Sequence, residues 1–231
     1  MTRTYLSTEA IVLRAHPFRD SDQILTLFTA KAGIIKVICF GSRSQKSKWR
    51  SLCLPLTQVE IIYREKQGEI FECRDLSLIH PHHALKEHFH HLNAACDFLY
   101  SLNLSQMPGK EAPQLYELLI YFLHKIPLMS DPRVLTLSFR LKLLGHDGLL
   151  TCPFICHHCQ QPILEQAFFS EGEWQCFQHQ SLDALNFSEE ELLVIYQLVS
   201  TKKFGDLVQI TLPPDLKLKV ELFFKAWFEG K

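Results

Sequence analysis

A chain of 231 residues, 47% of them apolar, has enough core-forming material for one large domain or two small ones, and a net charge of −1 is unlike that of a disordered polyelectrolyte. No apolar run reaches the roughly 18 residues a membrane helix needs, because the longest, Leu118 to Met129, is interrupted by His124, Lys125 and Pro127. The N-terminus runs into a strand-like pattern without a cleavage site, so a soluble, cytoplasmic protein is expected.

The total charge hides a division along the chain. Residues 1–60 hold nine Lys or Arg against Glu9, Asp20, Asp22 and Glu60, while the remainder holds 15 against 21. Between Asp22 and Glu60 there is no acid, yet Lys31, Lys36, Arg43, Lys46, Lys48 and Arg50 all fall there. Such a window is the electrostatic footprint of a surface that meets phosphate.

In chain order, residues 5–14 and 23–29 are rich in β-branched and aromatic side chains and too short for typical helices. Ala30 to Gly33 supplies a turn, and 34–40 reads as the return strand of a hairpin. Two further strands are expected at 55–64 and 69–74, joined by a turn ending in Gly68. Five short strands in some 75 residues suggest a small closed barrel, either an OB-fold or, on pattern alone, an SH3-like barrel. After Asp75 the apolar residues Leu85, Phe89, Leu92, Ala95, Cys96, Leu99 and Leu102 recur at three and four, which predicts helices at about 84–104, 112–126 and 131–145. Asp131-Pro132 fits an N-cap followed by an N1 proline. Two more helices are expected at 188–200, opened by a Ser188/Glu191 capping box, and at 214–229. The expected class is α+β, with a five-stranded barrel over 1–78 and an all-α domain over 79–231 that carries an inserted segment at 150–180.

The segment Phe40 to Ser51 alternates Arg43, Lys46, Lys48 and Arg50 with Ser, Gly and Trp49, the composition of a mobile loop that follows a phosphate backbone. Trp49 is a candidate for stacking on a base, or else a ring tucked into the barrel. Eight cysteines without a secretory signal point away from disulfides. Cys39, Cys53, Cys73 and Cys96 read as small buried hydrophobes. Cys156-x-x-Cys159 and Cys176-x-x-His179 instead have the spacing of two knuckles that hold one structural zinc ion, and the gap between them has residues for a small hairpin. Cys152, His157 and His158 are alternatives for the fourth ligand, His179. The run from His80 to His91 places His83, Glu87 and His91 on one helical face but forms no HExxH, and is expected to be a solvated surface without a ligand role. No H-x-E deaminase signature, GK[ST] P-loop or G-x-S-x-G elbow occurs, so no catalytic site is expected.

Ala10-Ile11-Val12-Leu13-Arg14, Ser21 to Thr29, Gly33 to Val37, Gly41-Ser42-Arg43 with Lys46-Ser47-Lys48, and Leu54-Pro55-Leu56 together resemble the N-terminal OB domain of the RecO family. The downstream knuckles resemble the zinc site of many RecO proteins, which commonly have a second CxxC where this chain has Cys176 and His179. Ser42 stands where a small apolar residue is usual. The resemblance implies a non-enzymatic mediator of recombinational repair. Such a protein binds single- and double-stranded DNA, anneals strands coated with single-strand-binding protein, and acts with RecR, and in many bacteria RecF, to load RecA. On that basis Lys36, Arg43, Lys46, Lys48, Trp49 and Arg50 are the expected DNA contacts, in a nucleoid-associated cytoplasmic protein. A zinc-stabilised adaptor that binds only protein is the alternative, and for it the basic segment would be dispensable.

Overall fold

The computed structural model describes residues 4–64, 68–150 and 154–228. The apolar runs at the start of the chain form β1 (Tyr5–Phe18), β2 (Asp22–Thr29), β3 (Gly33–Cys39), β4 (Gln58–Arg64) and β5 (Ile70–His80). They close into a barrel in the order β1-β2-β3-β5-β4, with β4 returning to β1. All pairs are antiparallel except β3 with β5. This is the OB-fold, and the SH3-like alternative is set aside. The turn expected at 65–68 falls largely outside the described residues.

Closure rests on β1, which pairs with β4 from Tyr5 to Ile11 and with β2 from Ala10 to Phe18, across an irregularity between Val12 and Arg14. Inside the barrel, Ala10, Val12, Leu25, Leu27, Ile35, Val37, Val59 and Ile61 pack with the thiols of Cys39, Cys53 and Cys73. Cys96, by contrast, is exposed, against its expectation as a core residue. Phe28 is also fully buried, because its ring meets Tyr116 at 6.0 Å.

Two helices complete this part, α1 (Phe89–Ser105) and α2 (Pro113–Lys125). The residues before α1 form only a 3-10 turn, His83–Lys86, so the helix begins about five residues later than its apolar spacing predicts. The histidine run is not uniformly solvated: His82 is 2% exposed and adopts φ 48°. The chain divides into compact units at Met1–Leu128 and Met129–Lys231, so both helices belong to the barrel's unit.

The second unit is built on α3 (Arg133–His146), in which Leu135, Leu137, Phe139, Leu141, Leu143 and Leu144 are all fully buried. The helix starts one residue later than the Asp-Pro pair predicts, with Pro132 at the N-cap, and Asp131 Oδ1 accepts the Arg133 amide at 3.0 Å from just outside it. A sheet follows, from β6 (Ala167–Ser170), β7 (Glu173–Gln175) and β8 (Leu185–Phe187) in the order β7-β6-β8, and its third strand has no counterpart in the sequence expectation. Then come α4 (Glu189–Ser200), the single turn α5 (Phe204–Leu207) and α6 (Leu216–Phe228). The Ser188/Glu191 capping box forms, with Glu191 N–H donating to Ser188 Oγ and Ser188 N–H to Glu191 Oε2. Lys142 Nζ donates to the carbonyls of Val199 and Thr201 at 2.6 and 2.8 Å, so a cation from α3 serves the C-terminal end of α4. None of the described helices is long and apolar enough to cross a membrane.

Gly33 shows how closely the barrel's unit is packed. Its φ is +59°, and a Cβ there would lie 2.0 Å from the Lys110 carbonyl oxygen, while Gly109 N–H donates to the Ile34 carbonyl at 3.0 Å. Gly33→Ala combines a left-handed backbone penalty with backbone overlap and is expected to lower stability by about 2–4 kcal/mol. Denaturant unfolding checks this, and an unchanged midpoint would mean that the 107–110 segment does not hold this position.

Candidate nucleic-acid face and metal centre

The irregularity in β1 decides what the barrel shows to solvent. Ala10 and Val12 point inward, and an uninterrupted alternation would bury residue 14 as well. After the shift, Arg14 aligns with Thr26 and Lys36, and His16 with Ile24 and Ile38, in two rows across β1, β2 and β3. Arg14, His16 and Lys36 are exposed. Phe18 and Phe40, 36% and 45% exposed, flank the next row, and the Arg19 guanidinium lies 5.2 Å from the Phe18 ring centroid. Strands two and three with the loop between strands one and two are the usual OB binding surface. Of these residues the sequence reading singled out Lys36 alone. The alternation Arg14, His16, Phe18 was visible, but a strand expected to stop at 14 gave it no meaning.

The basic segment between β3 and β4 is more ordered than a mobile loop. It is a chain of tight turns, with backbone bonds from Ser44 to Gly41, Ser47 to Ser44, Arg50 to Ser47 and Cys53 to Trp49. One end is pinned to the first hairpin, where Gly41 N–H donates to Asp22 Oδ1 and Arg43 N–H to the Ser21 carbonyl, each at 2.8 Å. The other end is pinned to β1 through Leu56 N–H to the Val12 carbonyl and Val12 N–H to the Thr57 carbonyl. Ser42, polar where an apolar residue is usual, is fully buried with its hydroxyl donating to the Cys39 carbonyl at 2.9 Å.

The expected DNA contacts therefore differ in their surroundings. Lys36, Lys46 and Arg50 are exposed and have no ion-pair partner among the described residues. Lys48 pairs with Asp75 at 3.0 Å and lies 5.6 Å from the Trp49 ring centroid. Its hydrogen bond holds the Asp75 carboxyl below the ordinary carboxylate range. Arg43 reaches the carbonyls of Arg19 and Asp20, both at 3.4 Å. Trp49 is half-buried and packs against the barrel core, so Phe40 offers the more open ring.

In the second unit the two knuckles converge. The donor atoms of Cys156, Cys159, Cys176 and His179 all lie within 4.8 Å of one another. Cys156 Sγ is 3.6 Å from His179 Nδ1, Cys176 Sγ is 3.3 Å from the same nitrogen, and Cys159 Sγ is 3.9 Å from Cys176 Sγ. A tetrahedron with metal–sulfur bonds of about 2.3 Å and a metal–nitrogen bond of about 2.0 Å has edges of roughly 3.5–3.8 Å, so the donor set fits an ion. His157 points elsewhere, with Nε2 3.2 Å from Glu173 Oε1, and Cys152 lies outside the described residues. Burial works to raise the Cys156 thiol, but the backbone N–H groups of Cys159, Cys176 and His158 outweigh it and bring its pKa to about 6.

Local structure explains the convergence. Gln160, at φ 57°, turns the first knuckle so that Gln160 N–H reaches the Cys156 carbonyl and Cys156 N–H the Gln161 carbonyl, both at 2.9 Å. Glu171 and Gly172, both at positive φ, form the two-residue turn joining β6 to β7, which delivers Cys176 directly beyond the strand. The segment has a core of its own. Trp174 lies 4.7 Å from Phe154, 5.3 Å from Phe169, 5.4 Å from Phe187 and 5.2 Å from Phe223, and all five rings are buried.

An OB barrel with cations and open aromatic rings on its β1–β3 face, followed by a helical unit with a Cys3His cluster, defines a two-unit protein of the OB class. The family models for the recombination protein O N terminal and the recombination protein O C terminal match residues 1–82 and 91–230. The chain belongs to the RecO family of DNA repair proteins. It is 24% identical to the DNA repair protein RecO of Chlamydia pneumoniae, over 96% of this chain and 88% of that one. The corresponding values are 26%, 97% and 86% for RecO of Streptococcus suis, and 27%, 73% and 67% for RecO of Thermodesulfovibrio yellowstonii.

Trp174→Ala opens a cavity at the centre of the aromatic cluster and is expected to lower the stability of the second unit by about 3–5 kcal/mol. Phe177→Ala, at a position 66% exposed beside the knuckle, is expected to stay within about 0.5 kcal/mol of the parent. Paired denaturant titrations compare the two, and equal losses would show that the cluster does not anchor the knuckles.

Proposed function

We propose that this protein is a mediator of recombinational repair that binds single- and double-stranded DNA on the β1–β3 face of its barrel and anneals complementary strands. Its partners in this reading are RecR, single-strand-binding protein and, in the same pathway, RecF and RecA, which it helps to load onto coated gaps in the nucleoid. The carrying observation is family membership across both halves, joined to the alignment of Arg14 and Lys36 on one exposed barrel face. Annealing forms and breaks no covalent bond. It requires two polyanions to be neutralised together while their bases pair, and exposed Lys and Arg side chains on a sheet perform that without a catalytic group. The barrel, residues 1–78, is the DNA-binding domain of this proposal.

The ion held by Cys156, Cys159, Cys176 and His179 is zinc in this reading, with a structural role. Four protein donors leave no position for substrate, and thiolate with imidazole is the donor set zinc favours. When bound, the ion supplies a fixed crosslink between the knuckle of 156–159 and the turn of 176–179.

Replacing Lys36, Lys46 and Arg50 together by Ala is expected to reduce the slope of log affinity against log salt for single-stranded DNA by about 2, at roughly 0.7 per lost phosphate contact. Phe40→Ala is expected to weaken binding by about 1–3 kcal/mol through lost stacking, with the fold retained. Mobility-shift titrations at several salt concentrations read both; an unchanged slope would place the DNA surface elsewhere on the protein, and no shift at any salt concentration would favour the protein-only adaptor.

Elemental analysis of protein purified without added metal, after a brief chelator wash, is expected to give one tightly held zinc per chain. X-ray absorption should show three sulfur neighbours and one nitrogen. A metal-free, fully folded preparation would overturn the assignment, and an all-sulfur shell would replace His179 by Cys152.

A further inference from the structure

The histidine run contains a second convergence of metal-binding atoms, in the barrel's unit and unrelated to the cysteine knuckles. His80 ends β5, His82 follows two residues later, and His124 sits in the last turn of α2. Their ring centroids lie 4.3, 4.8 and 4.9 Å apart, and each ring offers a nitrogen within 4.8 Å of the others. This was not legible in sequence, where His124 is 42 residues beyond His82.

His82 has the features of a side chain held for a ligand. Its backbone takes φ 48° and ψ 42°, a left-handed conformation uncommon for a non-glycine residue, though less so for histidine than for most. Its side chain is carried into the interior, where Nε2 is buried and finds no hydrogen-bond partner among the described residues. A buried polar atom without a partner is a departure from normal packing that a bound ion would remove.

The other two rings differ in readiness. His124 Nδ1–H donates to the Ile120 carbonyl at 2.8 Å, which fixes the ring and leaves the Nε2 lone pair free, as in most metal-bound histidines. The carbonyl end of α2 also favours a cation nearby. His80 Nδ1 accepts the His82 amide at 3.0 Å, so His80 joins an ion only by exchanging that hydrogen bond for a coordination bond. The charge of Lys86 reaches His82 and opposes a cation, so binding is weaker than at the cysteine centre.

We propose that His80, His82 and His124 form a second metal site, taking a divalent zinc-class transition ion that clamps the end of β5 to the end of α2. Neutral imidazoles suit zinc, copper and nickel rather than magnesium or calcium. Three ligands with His124 exposed leave at least one coordination position open to water or to a donor from outside the chain.

The test is calorimetric titration of Zn2+ into the full chain with its tightly held zinc retained, followed by thermal unfolding with and without added ion. One further equivalent is expected, with a higher midpoint when it is bound. His124→Ala, at an exposed position that should not disturb folding, is expected to weaken this step at least about 30-fold, and His82→Ala likewise. His80→Ala should weaken it less, because that ligand gives up a hydrogen bond to bind. His83→Ala and His90→Ala serve as neighbouring controls and should leave it unchanged. Absence of the second equivalent, indifference to His124→Ala, or loss in His90→Ala alone would overturn the proposal. A magnesium titration that matched zinc would do the same.

Discussion

One bulge governs the barrel. A five-stranded sheet closes only if the first and last strands of its order also pair, and here β4 pairs with the first half of β1 while β2 takes the second. Between Val12 and Arg14 the register shifts, and the inward set changes parity. The shift sends Arg14, His16 and Phe18 outward, and it leaves Val12 N–H and C=O to bond Thr57 and Leu56. The exposed rows, the closure and the anchoring of the β3–β4 segment thus share one cause. A straight β1 would bury Arg14 in an apolar core, which no partner there could compensate.

The cysteines divide by surroundings in the same physical way. Cys39 sits among apolar side chains with Cys53 and Cys73 beside it, and those neighbouring thiols, with burial, push its ionisation far upward. Cys156 is also closed to solvent but lies near the surface, and backbone N–H groups aimed at its sulfur outweigh burial and favour the anion. What separates the packing thiol from the ligand is therefore the dipoles aimed at the sulfur together with its depth in the protein.

Features fixed by neighbours in sequence were legible without coordinates. The first hairpin, the Ser188/Glu191 cap, the break before α3 and the spacing of Cys156, Cys159, Cys176 and His179 each depend on a few adjacent residues. What escaped was set at a distance. Phe223 completes the Trp174 cluster from α6, His124 reaches His82 from α2, and α1 and α2 belong with the barrel although their periodicity says only that they are helices. Trp49 shows the same limit, because composition marks an aromatic among cations but only packing tells whether its face is free.

The order of the β3–β4 segment has a kinetic meaning for a protein of the proposed role. A loop that folds on its ligand gives up chain entropy at contact and holds on through the contacts it gains. Residues 41–57 have already made that sacrifice, since their turns and both anchors exist in the free chain. Association then needs no conformational search, and its strength rests mainly on displaced counterions, which return as soon as a second strand competes for the same phosphates. A preformed cationic surface of this kind captures a strand quickly and lets it go quickly, and a protein that hands paired strands onward needs release as much as capture.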